Sequence, residues 1–337
     1  MFLAFSPIMS LANDPLFESH DRLEVRIVAP LTTLKRERPN EEELDGTLIY
    51  IDDTGQEVEL ELEIRTRGNY RRQERTCPFP PLRLDFPKKQ MEGTLFEKQD
   101  KLKLVTHCRN AMQYEQAVIR EYLIYRMFNL LTPLSYRVRA LNVTWVDSEK
   151  NFRENQRFAF LIEHKERFEK RTDLPILEVP RNQAELLEPA YANLVDIFQF
   201  LAGNTDYSPV SGPRDDNCCH NTNLFGAAEG PIYAVPYDFD MSGLADAPYA
   251  TPNPKFEITS TRDRLYRGRC AHNDHVIETL EIIERQKDAL YALVNAEEGM
   301  TEGSRKSMRR FLDRFFRVSE NPRAVNSEIV MECRAAP

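Results

Sequence analysis

The chain contains no apolar run approaching the roughly 20 residues that a membrane-crossing helix requires, which excludes a helical membrane span. It has no internal repeat and no low-complexity tract. Positive charge is in short supply: 45 Lys and Arg face 54 Asp and Glu, for a net charge of -9. A globally acidic surface argues against a general nucleic-acid binder, although a local basic patch can still hold phosphate. The six cysteines show no CxxC pair and no Cys/His spacing of the metal-binding kind, so a zinc site is not expected. Their even number permits three disulfides, as in an exported protein, or six free thiols.

What remains is a chain of 337 residues, 41% hydrophobic and 29% charged, long enough to bury a sizeable core in two lobes or domains. Residues 1–20 read as a signal-peptide remnant or an ordinary tail. Ser10-Leu11-Ala12 would suit a signal peptidase, but no basic residue precedes the apolar run. A periplasmic or secreted protein fits this reading slightly better than a cytoplasmic one.

The first half alternates apolar and polar residues at 23–28, 47–51, 58–65, 81–86 and 101–105, the pattern of strands. Residues 113–131 carry a wide apolar face at helical spacing, closed by Pro133, and 138–146 and 158–162 return to strand character. The second half predicts helices at 184–202, 274–296 and 304–318, separated by a loop-rich stretch over 204–269. A long irregular segment inside a compact protein is usually functional. Strands with one embedded helix, followed by helices with a polar centre, give the order of an α+β, two-lobed, protein-kinase-like fold. The boundaries are a strand-rich N-lobe over 21–165 and a mainly helical C-lobe over 166–337.

The chemistry concentrates in Asn204-Thr205-Asp206-Tyr207, His220-Asn221-Thr222-Asn223-Leu224-Phe225 and Pro236-Tyr237-Asp238-Phe239-Asp240. Phosphoryl transfer needs a carboxylate near the acceptor hydroxyl and hard oxygen ligands that hold magnesium on the phosphates. Asp206 would be the catalytic base, Asn221 a metal ligand with Asn223 as second choice, and Asp238 the bridge between metal and phosphates, assisted by Asp240. The alternative is that each is a turn or cap residue. A second signal is the arginine-rich segment Arg65-Thr66-Arg67-Gly68-Asn69-Tyr70-Arg71-Arg72-Gln73-Glu74-Arg75. Guanidinium forks and turn N–H groups suit a phosphate-covering loop built on Arg67, Gly68, Asn69 and Arg71. A solvated basic hairpin is the competing reading. Arg262, Arg264, Arg267 and Arg269 form another basic run, read as a solvated loop rather than a dock for an acidic acceptor.

RGNYRR, PPLRLDF, KLKLV, FAFLIEHKERF, GNTDYS, HNTNLF and PYDFDMSG together resemble the spore-coat protein H (CotH) kinase family, from about Arg65 to Gly243. The resemblance implies an atypical kinase using ATP with magnesium or manganese, with Asp206 as catalytic aspartate, Asp238 as metal aspartate and Asn221 as second ligand. It further implies Arg83 or Lys103 on the nucleotide phosphates, Glu115 or Glu121 as its helix partner, and Glu163 near the adenine. Tyr207 and Tyr237 stand where the family has Trp, and residues 208–219 are an insertion. The expected activity is an ATP- and metal-dependent phosphotransferase acting on an unidentified protein or small-molecule acceptor. Nucleotidyl (AMP) transfer and a non-catalytic nucleotide-binding pseudokinase of the cell envelope are the alternatives. Should the thiols pair, Cys77 and Cys108 are expected within about 7 Å of each other, with Cys218 or Cys219 anchored to Cys270 or Cys333.

Overall fold

A computed structural model describes residues 14–213 and 217–335. The expected processing site at Ser10-Leu11-Ala12 lies outside the described residues. Seven strands form a closed ring: β1 (Leu23–Ala29), β2 (Leu44–Ile51), β3 (Glu57–Thr66), β4 (Leu82–Asp85), β5 (Lys101–Val105), β6 (Val138–Asp147) and β7 (Asn155–Ile162). Around the ring they run β1-β2-β3-β4-β5-β7-β6. Neighbours are antiparallel except β1 and β6, which pair in parallel from Leu23 opposite Leu141 to Ala29 opposite Asp147.

This closure corrects the expectation of a two-lobed, protein-kinase-like fold. β1 is hydrogen-bonded to β2 on one side and to β6 on the other, so the strand-rich part is a barrel. Closure removes the exposed edges that an open sheet must protect. The α+β class stands; the kinase-like architecture does not.

Period-two patterning explains the barrel. In β3, Leu60, Leu62 and Ile64 point inward while Glu59, Glu61 and Glu63 face water. The second half of β7, residues 158–162, is apolar on both faces because both faces are covered. In β7, Ala159 and Leu161 join the barrel core, while Phe158, Phe160 and Ile162 pack into a second core outside it. The short helices α1 (Pro15–Glu18) and α2 (Leu31–Glu37) give Leu16, Phe17, Leu31 and Leu34 to the barrel core.

The second core is built around α3 (Met112–Leu131), buried continuously from Gln116 to Phe128. A helix buried all round is a core element rather than an amphipathic surface one. After α4 (Lys165–Thr172) come α5 (Pro189–Ala202), α6 (Val276–Arg285), α7 (Lys287–Ala296), α8 (Glu302–Ser319) and α9 (Pro322–Val325). The helix expected over 184–202 begins only at Pro189, which tolerates the first helical position because no N–H partner is needed there. The one expected over 274–296 starts at Val276 and breaks at Gln286. A small sheet of β8 (Ile176–Leu177), β9 (Thr222–Phe225) and β10 (Tyr233–Pro236) lies in the order β10-β9-β8. Its strands carry two of the three polar segments singled out above, and the third follows α5.

Cys77 and Cys108 are bonded, with Cα atoms 4.6 Å apart. Cys270 pairs with Cys333 and Cys218 with Cys219, so the expected anchor from the insertion to the helical part is not formed.

Candidate functional site

Three local devices bring the polar segments together. α5 ends at Gly203, whose φ of 63° is the left-handed conformation that a glycine cap adopts freely. A Cβ there would lie 2.7 Å from the Phe311 ring, so the close packing also demands glycine. Asn204 then accepts the Asp206 N–H at 2.9 Å, a turn that presents the Asp206 carboxylate. The pairing of β9 with β10 continues through the Tyr237 N–H to the Asn221 carbonyl at 3.0 Å, fixing Asn221 beside Asp238. Both adopt positive φ, 50° and 63°, a region that Asn and Asp enter more readily than other side chains. The Asp238 N–H donates to the Tyr125 hydroxyl of α3 at 2.8 Å, which ties the segment to the helical core.

The result is a cavity of about 410 Å³ between the barrel and these segments. Arg67, Arg71, Arg83 and Lys103 line it from the barrel side, and Asp206, His220, Asn221, Asp238 and Asp240 from the other. Arg65, Arg83 and Lys103 are direct cross-strand neighbours on β3, β4 and β5. Like charges placed opposite one another destabilise a sheet by roughly 0.2–1 kcal/mol a pair. Arg65 is relieved by Glu43 at 3.0 Å. Arg67, Arg83 and Lys103 form no ion pair among the described residues, and the Nε atoms of Arg67 and Arg83 are buried without a hydrogen-bond partner. Burial and then Arg67 push Lys103 down to about 7, while its ammonium sits 4.3 Å from the centre of the Tyr237 ring. An anion in this cavity would relieve all three cations.

Arg71 behaves differently from its neighbours. Its buried guanidinium meets Asp238 at 2.7 Å, Asp240 at 3.1 Å and Glu121 at 3.2 Å. Burial raises Asp240 well above the carboxylate range, with Asp238 and Glu121 adding to the rise. Burial raises Glu121 too. Burial also pushes Asp238 upward, but Arg71, Arg67 and Lys103, with a hydrogen bond from Asp240, hold it below the usual value. Of the trio, Asp238 is the carboxylate held below its ordinary value.

Among the described residues, no three His, Cys, Asp or Glu side chains are grouped as a metal centre. A resident ion held by protein alone does not fit. Magnesium carried on a triphosphate does fit, because it is commonly held by one or two carboxylates together with the phosphate oxygens. Asp238 supplies such a carboxylate. Asn221 donates through Nδ2 to the Asp206 carbonyl at 2.7 Å and to Oδ2 at 3.0 Å, so its amide oxygen is the end that Asp206 does not engage.

The other sequence-predicted residues divide clearly. Gly68 and Asn69 line the cavity with Arg67. Glu121 pairs with Arg71 rather than with Arg83 or Lys103. Glu115 accepts the Phe158 N–H at 2.7 Å, outside the cavity. Glu163 is buried and bound by Arg171 at 2.9 and 3.0 Å, and does not line it either. Asn223 donates to the Tyr136 hydroxyl at 2.6 Å within the aromatic cluster.

Sequence reasoning missed His220. Its Nε2 lies 2.8 Å from Asp206 Oδ1, and that hydrogen bond raises its pKa. Its one signal in the sequence is its place directly before Asn221. A carboxylate fixed between an imidazole and an amide can orient the histidine and take up or release a proton through it. No protein-family model matches the chain, and a search of the curated proteins finds no match.

Proposed function

We propose that this chain binds the phosphates of a magnesium–nucleoside triphosphate in the basic cavity and transfers the terminal phosphoryl group to a hydroxyl acceptor. The observation that carries the reading is the cross-strand row of Arg65, Arg83 and Lys103 beside Arg67, three of whose four charges have no anion in contact. Guanidinium forks match phosphate oxygens, and each hydrogen bond to a charged group contributes roughly 1.5–3 kcal/mol. Asp206 and His220 stand across the same cavity. The resemblance of RGNYRR and PYDFDMSG to the spore-coat protein H kinases supports the same chemistry, carried on a barrel rather than on two lobes.

In the transfer, the acceptor oxygen bonds to the γ-phosphorus while the bond to the β–γ bridging oxygen breaks, and the nucleoside diphosphate leaves. The hydroxyl proton passes to the Asp206–His220 pair. Asp238 stays ionised and faces the phosphates, with its charge balanced by Arg71. The test is ADP release from magnesium–ATP, with water standing in as a slow acceptor. Asp206→Ala is expected to lower the rate about 10²- to 10⁴-fold with nucleotide affinity retained. Equal rates in variant and parent would remove Asp206 from the mechanism.

A further inference from the structure

A second cavity of about 630 Å³ adjoins the basic one. Asp206, His220, Pro213 and Met241 line both, so the Asp206–His220 pair stands in the wall between them. The second cavity has an apolar side, including Leu187, Val195 and Ala234, and a strongly basic side. Arg267 donates to the carbonyls of Thr205 and Tyr207 at 2.7 and 2.6 Å rather than to a carboxylate. The Phe256 ring lies against two guanidiniums, Arg267 at 4.7 Å and Arg334 at 4.9 Å. Arg269 and Arg334 are bridged to each other beside the Cys270–Cys333 bond, so two like charges are held side by side. Burial and then repulsion from Arg267 push Arg334 below its ordinary value. Lys255 adds a fourth cation at the exposed rim.

None of these four cations forms an ion pair among the described residues. The carboxylate facing them, Asp196, is buried and accepts the Tyr207 hydroxyl at 3.0 Å. Holding four cations around one cavity, with no contacting counter-charge among the described residues, is unfavourable unless an anion enters. Arg267 and Arg269 are thus not the solvated loop that the basic run predicted. Arg264 belongs to the core instead, donating to the carbonyls of Phe200, Leu201 and Phe311. Arg262 pairs with Asp246 at 2.9 Å.

We infer that the second cavity is the acceptor site and takes a small hydroxyl compound bearing an anionic group, its charge held by Lys255, Arg267, Arg269 and Arg334 and its hydroxyl turned to Asp206 and His220. This inference rests on the phosphoryl-transfer reading. The volume is that of a small-molecule pocket, which usually falls within about 300–1,000 Å³.

The probe is citrate, a hydroxyl-bearing tricarboxylate, titrated calorimetrically into the full chain, with glycerol as the neutral control. Citrate is expected to bind and glycerol not. Arg269→Glu and Lys255→Glu are each expected to weaken citrate about 10-fold or more, while Arg67→Gln, in the other cavity, leaves this Arg269-dependent binding unchanged. Lys255 is exposed at the rim, so its substitution keeps the test decisive should Arg269→Glu fail to fold. Magnesium–ATP affinity is expected to survive both glutamate variants. Absent citrate binding, binding indifferent to Arg269 and Lys255, or loss of citrate in Arg67→Gln alone would overturn the assignment. Tighter Arg269-dependent binding of an acidic serine peptide than of citrate would overturn the small-molecule class. Citrate binding without any ATP binding would retain an anion site here and refute the phosphoryl-transfer reading instead.

Discussion

Replacing Arg71 by methionine keeps the stem of the side chain and removes the guanidinium that contacts Asp238, Asp240 and Glu121. Breaking a buried ion pair by deleting one partner typically costs about 3–5 kcal/mol, because the remaining charge is left uncompensated. The unfolding entropy of a chain this long is on the order of 0.7 kcal/mol per kelvin, so the expected fall in Tm is about 4–7 °C at neutral pH. The sign of the pH dependence follows from the carboxylates. With Arg71 present, Asp238 sits below its ordinary value and contributes stability above its unfolded pKa, lost as the pH falls. Without Arg71, burial and the Asp238 charge raise Asp240 and Glu121 unopposed by that guanidinium, so the folded variant holds more protons than its unfolded chain. Its penalty is then largest at neutral and high pH and shrinks on acidification. Thermal denaturation of parent and variant at about pH 7.5 and pH 5 reads both effects. A Tm gap below about 1 °C, or one that does not narrow in acid, would refute the assignment of Arg71 as the charge centre of the site.

The Asp206 hydrogen bond raises the pKa of His220, so Asp206→Asn is expected to return its ring-proton NMR titration toward the ordinary value of about 6.5. The stability this contact contributes is fully present below the unfolded His pKa and is lost as the pH rises through the folded one. The parent's advantage over Asp206→Asn therefore shrinks at alkaline pH, and identical titration midpoints would contradict the contact. The Cys77–Cys108 bond closes a separation of 31 residues. On the chain-entropy model its loss in a double serine variant costs roughly 3–4 kcal/mol, a fall of about 5 °C in oxidising buffer. An unchanged Tm, with the parent bond shown intact by thiol counting, would set that loop estimate aside.

Individual elements were legible because the cues are local. The alternation over residues 58–65 belongs to β3, and the apolar face over 113–131 belongs to α3. Closure of the barrel was not legible. Its closing pair joins Leu23 to Leu141, far apart in the chain, and nothing in a period-two strand states which strand will lie beside it or in which direction. The same limit governs the site. Asp206, Asn221 and Asp238 lie in short polar segments beside apolar runs, which mark turns at strand and helix ends, and the fold brings these turns to one cavity. Glu163 carried a similar cue, a carboxylate at the end of a strand, but Arg171 from the following helix buries it as a structural pair. The sequence places Arg71 with the phosphate-binding arginines, but in the fold it binds carboxylates. Its three carboxylates come from α3 and from the segment after β10, which only the folded chain brings together. His220 needed the turn at Asn204 to bring Asp206 within reach.

The central claim is that the unpaired cations of the barrel wall bind the phosphates of a magnesium–nucleoside triphosphate. Calorimetric titration of magnesium–ATP into the parent and into Arg67→Gln and Arg83→Gln tests it most directly. Neither residue forms an ion pair among the described residues, so removing the charge tests ligand binding with little change to the fold. Losing one charge-assisted hydrogen bond of roughly 1.5–3 kcal/mol predicts an affinity about 10- to 100-fold weaker in each variant. A parent that does not bind magnesium–ATP, or variants that bind it as tightly as the parent, would contradict the account.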